Sequence, residues 1–110
     1  MEISTKEMKR VSLVTVSGRV DSATAPDFDK ALQTLIQANR NQIVVDLKGV
    51  DYMSSAGIRA LVSALKAAKG GGGDLCIAQP SARVRDVLEL AGLNAIFSVY
   101  EDLIEAIGSF

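Results

Sequence analysis

Residues Gln42–Leu65 read QIVVDLKGVDYMSSAGIRALVSAL, and the fold follows from how this stretch is divided. Its opening, QIVVDL, is a nearly continuous apolar run of the kind found in a central strand covered on both faces. The strand pattern fades at Leu47, and Lys48–Ser54 (KGVDYMS) is expected to be a loop. From Ala56 the period becomes helical. Ile58, Leu61, Val62 and Leu65 mark one face, while Arg59, Ser63 and Lys66 fall on the other.

The same strand-then-helix alternation continues on both sides. Downstream, Gly70–Gly73 should stop the helix, and Asp74–Pro80 (DLCIAQP) reads as a strand closed by its proline. Ser81 is placed to cap a third helix with Val84, Val87, Leu88 and Ala91 inward, ending at Ala91–Leu93. Ala95–Tyr100 (AIFSVY) predicts a short final strand. Glu101–Phe110 predicts a last helix with Leu103, Ile104 and Ile107 inward. Upstream, Val14 and Val16 alternate with Thr15 and Ser17, and Lys9-Arg10 can turn the chain from a preceding strand, which makes a hairpin. Gly18–Phe28 is read as a connection. Thr24 or Ser22 can cap the first helix, Pro26 suits its first turn, and Ala25, Phe28, Leu32, Leu35 and Ile36 line it until Asn39–Asn41.

The order is β-β-α-β-α-β-α-β-α. Alternating strands and helices imply parallel pairing through crossovers, with the hairpin adding an antiparallel pair. The expected fold class is α/β: a mixed central sheet with about four helices packed against it. At 110 residues the chain is expected to form a single domain, residues 1–110.

Composition narrows the function. Net charge is -1 with no Lys/Arg block, so a nucleic-acid partner is not expected. The polar N-terminus has no signal-peptide core, and no apolar run approaches the about 18–20 residues needed to cross a bilayer. The expectation is a cytoplasmic protein without membrane insertion. The one cysteine, Cys76, sits in a buried-strand pattern and reads as a small apolar core residue. Histidine is absent.

Four candidate sites can be weighed on these grounds. MSSAG (Met53–Gly57) resembles a G-x-S-x-G nucleophile elbow with Ser55 in the serine place, but Met53 replaces the first glycine. The expected loop leaves no direct strand-to-helix turn, and no histidine exists to take the serine proton. Ser63-Ala-Leu-Lys66 matches S-x-x-K but lies on the polar helix face, without partner motifs. Gly70–Gly73 lacks the Gly-Lys-[Ser/Thr] of a phosphate loop. No cluster has zinc-ligand spacing, although Asp21, Asp46 and Asp51 could meet near one rim. No catalytic residue, metal or cofactor is expected.

Ser54 and Ser55 remain. One of them can cap the second helix, a bond of about 1 kcal/mol. A helix start also offers free N–H groups and a positive dipole end, so it tolerates a phosphate. Phosphorylation there would put a charge of about -1.5 to -2 on one exposed spot and repel a partner that buries it.

Ile43–Leu93 strongly resembles the STAS domain family, and within it the bacterial anti-sigma factor antagonists. VSGRVDSATAPDF (Val16–Phe28) is similar to the family's segment before its first helix, VDYMSSAGIRAL (Val50–Leu61) to its phosphorylation motif, and VRDVLELAGL (Val84–Leu93) to its third-helix signature. The resemblance implies a non-catalytic phospho-switch. Unphosphorylated members bind an anti-sigma factor that is also a serine kinase, and so release a sigma factor. The kinase phosphorylates one serine and a PP2C-type phosphatase restores it. Carried onto this chain, the acceptor is Ser55, two before Gly57, with Ser54 as the alternative. Many relatives carry aspartate where Ser54 stands. Asp21 matches a family aspartate near the same surface, and the partner surface is expected to include Asp21, Ser22, Ser54, Ser55, Gly57, Ile58 and Arg59. Two other readings stay open: an interaction subunit of a transporter, lipid-trafficking or stress-sensing assembly, and a nucleotide or anion sensor at the same helix start.

Overall fold

The hairpin forms first along the chain. In the computed structural model, which describes residues 1–110, β1 (Glu2–Glu7) pairs antiparallel with β2 (Ser12–Val20). The Met8 N–H donates to the Val11 carbonyl (2.8 Å) and closes the turn at Lys9-Arg10. There follow α1 (Ala25–Gln37), β3 (Gln42–Met53), α2 (Ser55–Gly70), β4 (Asp74–Ala78), α3 (Ala82–Leu90), a 3-10 turn at Leu93–Ala95, β5 (Val99–Tyr100) and α4 (Leu103–Gly108).

The sheet runs β1-β2-β3-β4-β5, with every pair after the first parallel. Parallel crossovers are right-handed, so crossovers that always step the same way leave their helices on one face. Accordingly α1, α2 and α3 share the larger core, where Phe28, Leu32, Leu61, Leu65, Val84 and Leu88 meet Val14, Ile43 and Leu75. Only α4, which follows the last strand, covers the other face, where Ala106 packs with Val11, Leu13, Val44, Cys76 and Ala78. Strand β3 lies at the centre and sends Ile43 and Val45 to one core and Val44 to the other, as its apolar run predicts. The strand order never reverses, so the fold has no switch-point crevice of the kind that holds nucleotides in doubly wound sheets.

The expected loop at Lys48–Ser54 is instead the second half of β3, which continues to Met53. The register explains why its pattern disappears. Thr15 pairs with Asp46 but Ser17 with Gly49, and Gly18 pairs with Val50 but Arg19 with Tyr52. Each shift inserts one extra residue into β3, and each extra residue moves the side chains by one phase. The core positions therefore run Ile43, Val45, Leu47, then Val50, then Met53. Alternation with period 2 is lost although the ladder is kept. The irregularity also needs Gly49, since a Cβ there would lie 2.8 Å from the Ser17 Cβ.

Other ends differ in detail. Thr24 sits at the N-cap of α1, but its hydroxyl does not cap the helix. It donates to the Arg19 carbonyl (3.0 Å) and accepts from the Asp21 N–H (2.9 Å), so it ties down the preceding loop instead. The final strand is only Val99–Tyr100, because Leu93–Ala95 winds into a 3-10 turn that delivers Phe97 to the main core. Ile104, expected inward, is 79% exposed, and Ala91 is exposed too. In a helix as short as α4 the inward stripe at i, i+3, i+4 is Leu103, Ala106 and Ile107, which leaves Ile104 on the far side. The glycine run ends α2 as expected. It also lets β4 start against β3, because a Cβ on Gly73 would fall 2.0 Å from the Asn41 carbonyl oxygen.

Candidate functional site

The serine pair stands where β3 hands over to α2, and the handover is abrupt. Met53 is the last strand residue, Ser54 the cap and Ser55 the first helical residue. The absence of a tight turn therefore does not count against a nucleophile elbow. What excludes a triad is the missing histidine, and Met53 still occupies the place of the elbow's first glycine.

The two serines are used differently. The Ser54 N–H donates to the Val20 carbonyl (2.8 Å), which pins the helix start to the end of β2. The Ser54 hydroxyl accepts from the Gly57 N–H (3.3 Å), and its carbonyl accepts from Ile58 N–H (3.0 Å) as the first helical bond. Ser54 is half-buried. Ser55 is exposed, and its hydroxyl makes no hydrogen bond. The N–H groups of Ser55 and Ala56 precede the first i→i−4 bond and have no carbonyl to meet within the helix. Gly57 lies beneath, buried. A Cβ there would sit 2.8 Å from Val20 Cγ1 and 3.0 Å from Met53 Cγ, so the helix start rests directly on the strand ends.

Asp21 follows Val20 at the neighbouring strand end. Its Oδ1 accepts from the N–H groups of Ala23 (3.0 Å) and Thr24 (3.1 Å) and, at 3.2 Å, shares the Thr24 hydroxyl proton with the Arg19 carbonyl. The Thr24 backbone bond above all lowers the carboxyl from its ordinary value; desolvation opposes it, and the Thr24 hydroxyl, the Ala23 N–H and the Arg19 charge add to the lowering. Asp21 thus shapes the turn into α1. Asp46 is buried in mid-strand and accepts from the Lys48 N–H (3.0 Å), and Asp51 is exposed on β3. The three aspartates do not assemble into a cation site.

Of the remaining predicted residues, Ser22 and Arg59 are exposed and both line a groove of about 370 Å³ between α1 and α2, with Ala25, Asp29, Ala56 and Ser63 along it. Ile58 is half-buried against the main core. All seven predicted partner residues gather at the carboxyl ends of β2 and β3. Two residues the sequence did not single out stand beside them. The Arg19 guanidinium lies 4.0 Å over the Tyr52 ring, and its Nε is 3.4 Å from Asp21 Oδ2. The sequence pattern does not point to them because Tyr52 lies in the part of β3 where period 2 is lost, and only the strand register pairs it with Arg19.

The opposite pole holds a polar cavity of about 350 Å³, lined by Lys9, Arg10, Arg40, Asn41 and the glycine run. It is not a phosphate cradle. The Gly71, Gly72 and Gly73 N–H groups already bond the last carbonyls of α2. Both α1 and α2 end at this pole, and their negative dipole ends account for the cations there. Arg40 is further held by Glu7 (3.0 Å). Ser63 and Lys66 both face solvent, as a helix surface requires. Burial pushes the Cys76 thiol up to about 11, which fits a core residue rather than a nucleophile. No helix is long and apolar enough to cross a membrane.

A family model described as STAS domain matches residues 2–106. The chain belongs to the STAS domain family. An anti-sigma-B factor antagonist of Staphylococcus aureus is 31% identical to this STAS domain over 92% of the chain and 94% of the relative. An anti-sigma factor antagonist from Mycobacterium paratuberculosis, known by its crystal structure, has the same fold with a TM-score of 0.90 at 25% identity, covering 98% and 92% of the two chains. The Bacillus cell fate determinant SpoIIAA in its phosphorylated form superposes with a TM-score of 0.79 at 17% identity, covering 98% of each chain. This STAS domain is therefore of the anti-sigma factor antagonist kind, a class of regulatory binding proteins, and no enzyme family is indicated. These relatives do not favour the transporter-subunit alternative.

Proposed function

We propose that this STAS domain is a cytoplasmic antagonist switched by phosphorylation of Ser55, without catalytic activity of its own. Unphosphorylated, it binds an anti-sigma factor that is also a serine kinase, and a sigma factor is released. The kinase phosphorylates Ser55, the phospho-form lets go, and a PP2C-type phosphatase restores it. The partner surface comprises Asp21, Ser22, Ser54, Ser55, Ile58 and Arg59, with Gly57 packing beneath it.

The observation that carries this reading is the division of labour between the two serines. The Ser54 hydroxyl is engaged with the Gly57 N–H, whereas the Ser55 hydroxyl is exposed and unbonded. Serine and aspartate are equivalent N-caps, so the serine found where many relatives carry aspartate does the same structural task. A phosphate on Ser55 meets a positive helix end and two uncommitted N–H groups, so the fold tolerates it. A partner pressed against that spot would meet an added charge of about -1.5 to -2 on a surface it has to desolvate. Incubation with the cognate kinase and ATP, followed by peptide mass spectrometry, should place the phosphate on Ser55. Ser55→Ala should still bind but stay unmodified, and Ser55→Asp should bind more weakly. A phosphate on Ser54 in the parent protein would overturn the assignment.

A further inference from the structure

The arginines of the chain are not equally committed. Arg19 is committed twice, to Asp21 and to the Tyr52 ring. Arg40 is paired with Glu7 and Arg85 with Glu101. Arg59 is in no ion pair and no hydrogen bond, and it is exposed. It stands one helical turn after Ser55 on α2, and residues four apart on a helix lie about 5–6 Å apart at Cβ. An anion placed N-terminal to a cation at this spacing is the favoured order. A guanidinium also reaches two phosphate oxygens at once.

We propose that Arg59 is a positioning residue for phosphoserine at position 55: it swings from the α1–α2 groove onto the phosphate and holds it against the helix start. The inference rests on Ser55 as the modified residue. Its consequence is that phosphorylation does more than add charge. In the unmodified protein Arg59 is a free cation on the wall of the groove, available to a carboxylate of the partner. Once captured, that cation is withdrawn from the binding surface in the same step that makes the surface negative. Arg59 is the one cation that lines the groove. Asp21 and Asp29 are anions, and Arg19 is held on the outer side of β2 and β3 by Asp21 and Tyr52.

The test uses protein with phosphoserine installed at position 55 during synthesis, so it does not depend on which serine the kinase selects. The phosphate is titrated by phosphorus NMR in the parent, Arg59→Gln and Arg59→Lys proteins. The Arg59 Nε–H signal is followed in the parent with and without the phosphate. Arg59→Gln should raise the second phosphate pKa by about 0.3. Arg59→Lys should fall between the two, because it keeps the charge but not the bidentate geometry. The Arg59 Nε–H should shift downfield on phosphorylation. The unmodified variants should melt with the parent, since Arg59 holds nothing in that state. Equal phosphate titrations in all three proteins, or an Arg59 Nε–H signal indifferent to the phosphate, would overturn the proposal while leaving the Ser55 reading intact, because that reading stands on the kinase experiment alone.

Discussion

Replacing Ser54 and Ser55 separately by alanine should give opposite results. Ser54 accepts one hydrogen bond, from the Gly57 N–H at 3.3 Å, and that bond is the side-chain cap of α2. Loss of such a cap costs about 0.5–2 kcal/mol, and a bond this long belongs in the lower half, about 1 kcal/mol. Nothing replaces it, because the Gly57 amide is buried and water reaches it poorly. At this chain length about 1 kcal/mol lowers Tm by roughly 4 °C. Ser55 has no bond to lose, and alanine is the better helix former, so Ser55→Ala should change stability by no more than about 0.5 kcal/mol in either direction. Thermal unfolding followed by circular dichroism, with urea melts to check that the slope m is unchanged, reads both. If Ser55→Ala destabilises as much as Ser54→Ala, or if Ser54→Ala is without cost, the division between a structural and a chemical serine is wrong.

Two further outcomes test the packing of α2 and the turn at Asp21. Helix propensity alone predicts that Gly57→Ala and Gly70→Ala both stabilise, by up to about 1 kcal/mol; the structure predicts that they diverge. A methyl at Gly57 meets Val20 and Met53, an overpacking cost of about 1–3 kcal/mol that outweighs the gain, whereas at Gly70 it meets nothing within 4 Å. Urea midpoints that move the same way for both would refute this. Asp21 has its folded pKa depressed, so its contribution is complete above the unfolded value near 4 and is lost as pH falls through the lower folded value. Melting temperatures of the parent and Asp21→Ala measured from pH 7 to pH 3 should differ by a constant amount down to about pH 5 and then converge; parallel curves throughout would show that the carboxylate is not bonded as described.

The same residues show how far a linear reading carries. QIVVDL was legible as a central strand because Ile43, Val44 and Val45 must all be buried, and burial on both faces leaves a continuous apolar signal. Helix α2 was legible because its stripe has one period from Ile58 to Leu65. The segment between them was not, since two register shifts scramble the phase that pattern reading depends on. Ile104 escapes a linear reading for a different reason: in a helix of six residues with four apolar side chains, Leu103, Ile104, Ala106 and Ile107, the pattern does not fix which face is buried.

The order of elements, the absence of an imidazole and the motif around Ser55 depend only on residue identity and local period, so they are legible along the chain. The sequence alone could not say which of two adjacent serines is engaged, since both can cap a helix and one residue of shift changes nothing in the pattern. Tertiary structure decided that. The Val20 carbonyl takes the Ser54 N–H, and Gly57 seats the helix on Val20 and Met53, so Ser54 turns in and Ser55 faces out. The Val20 constraint comes from a neighbouring strand far away along the chain, and only the folded sheet brings it to the helix start.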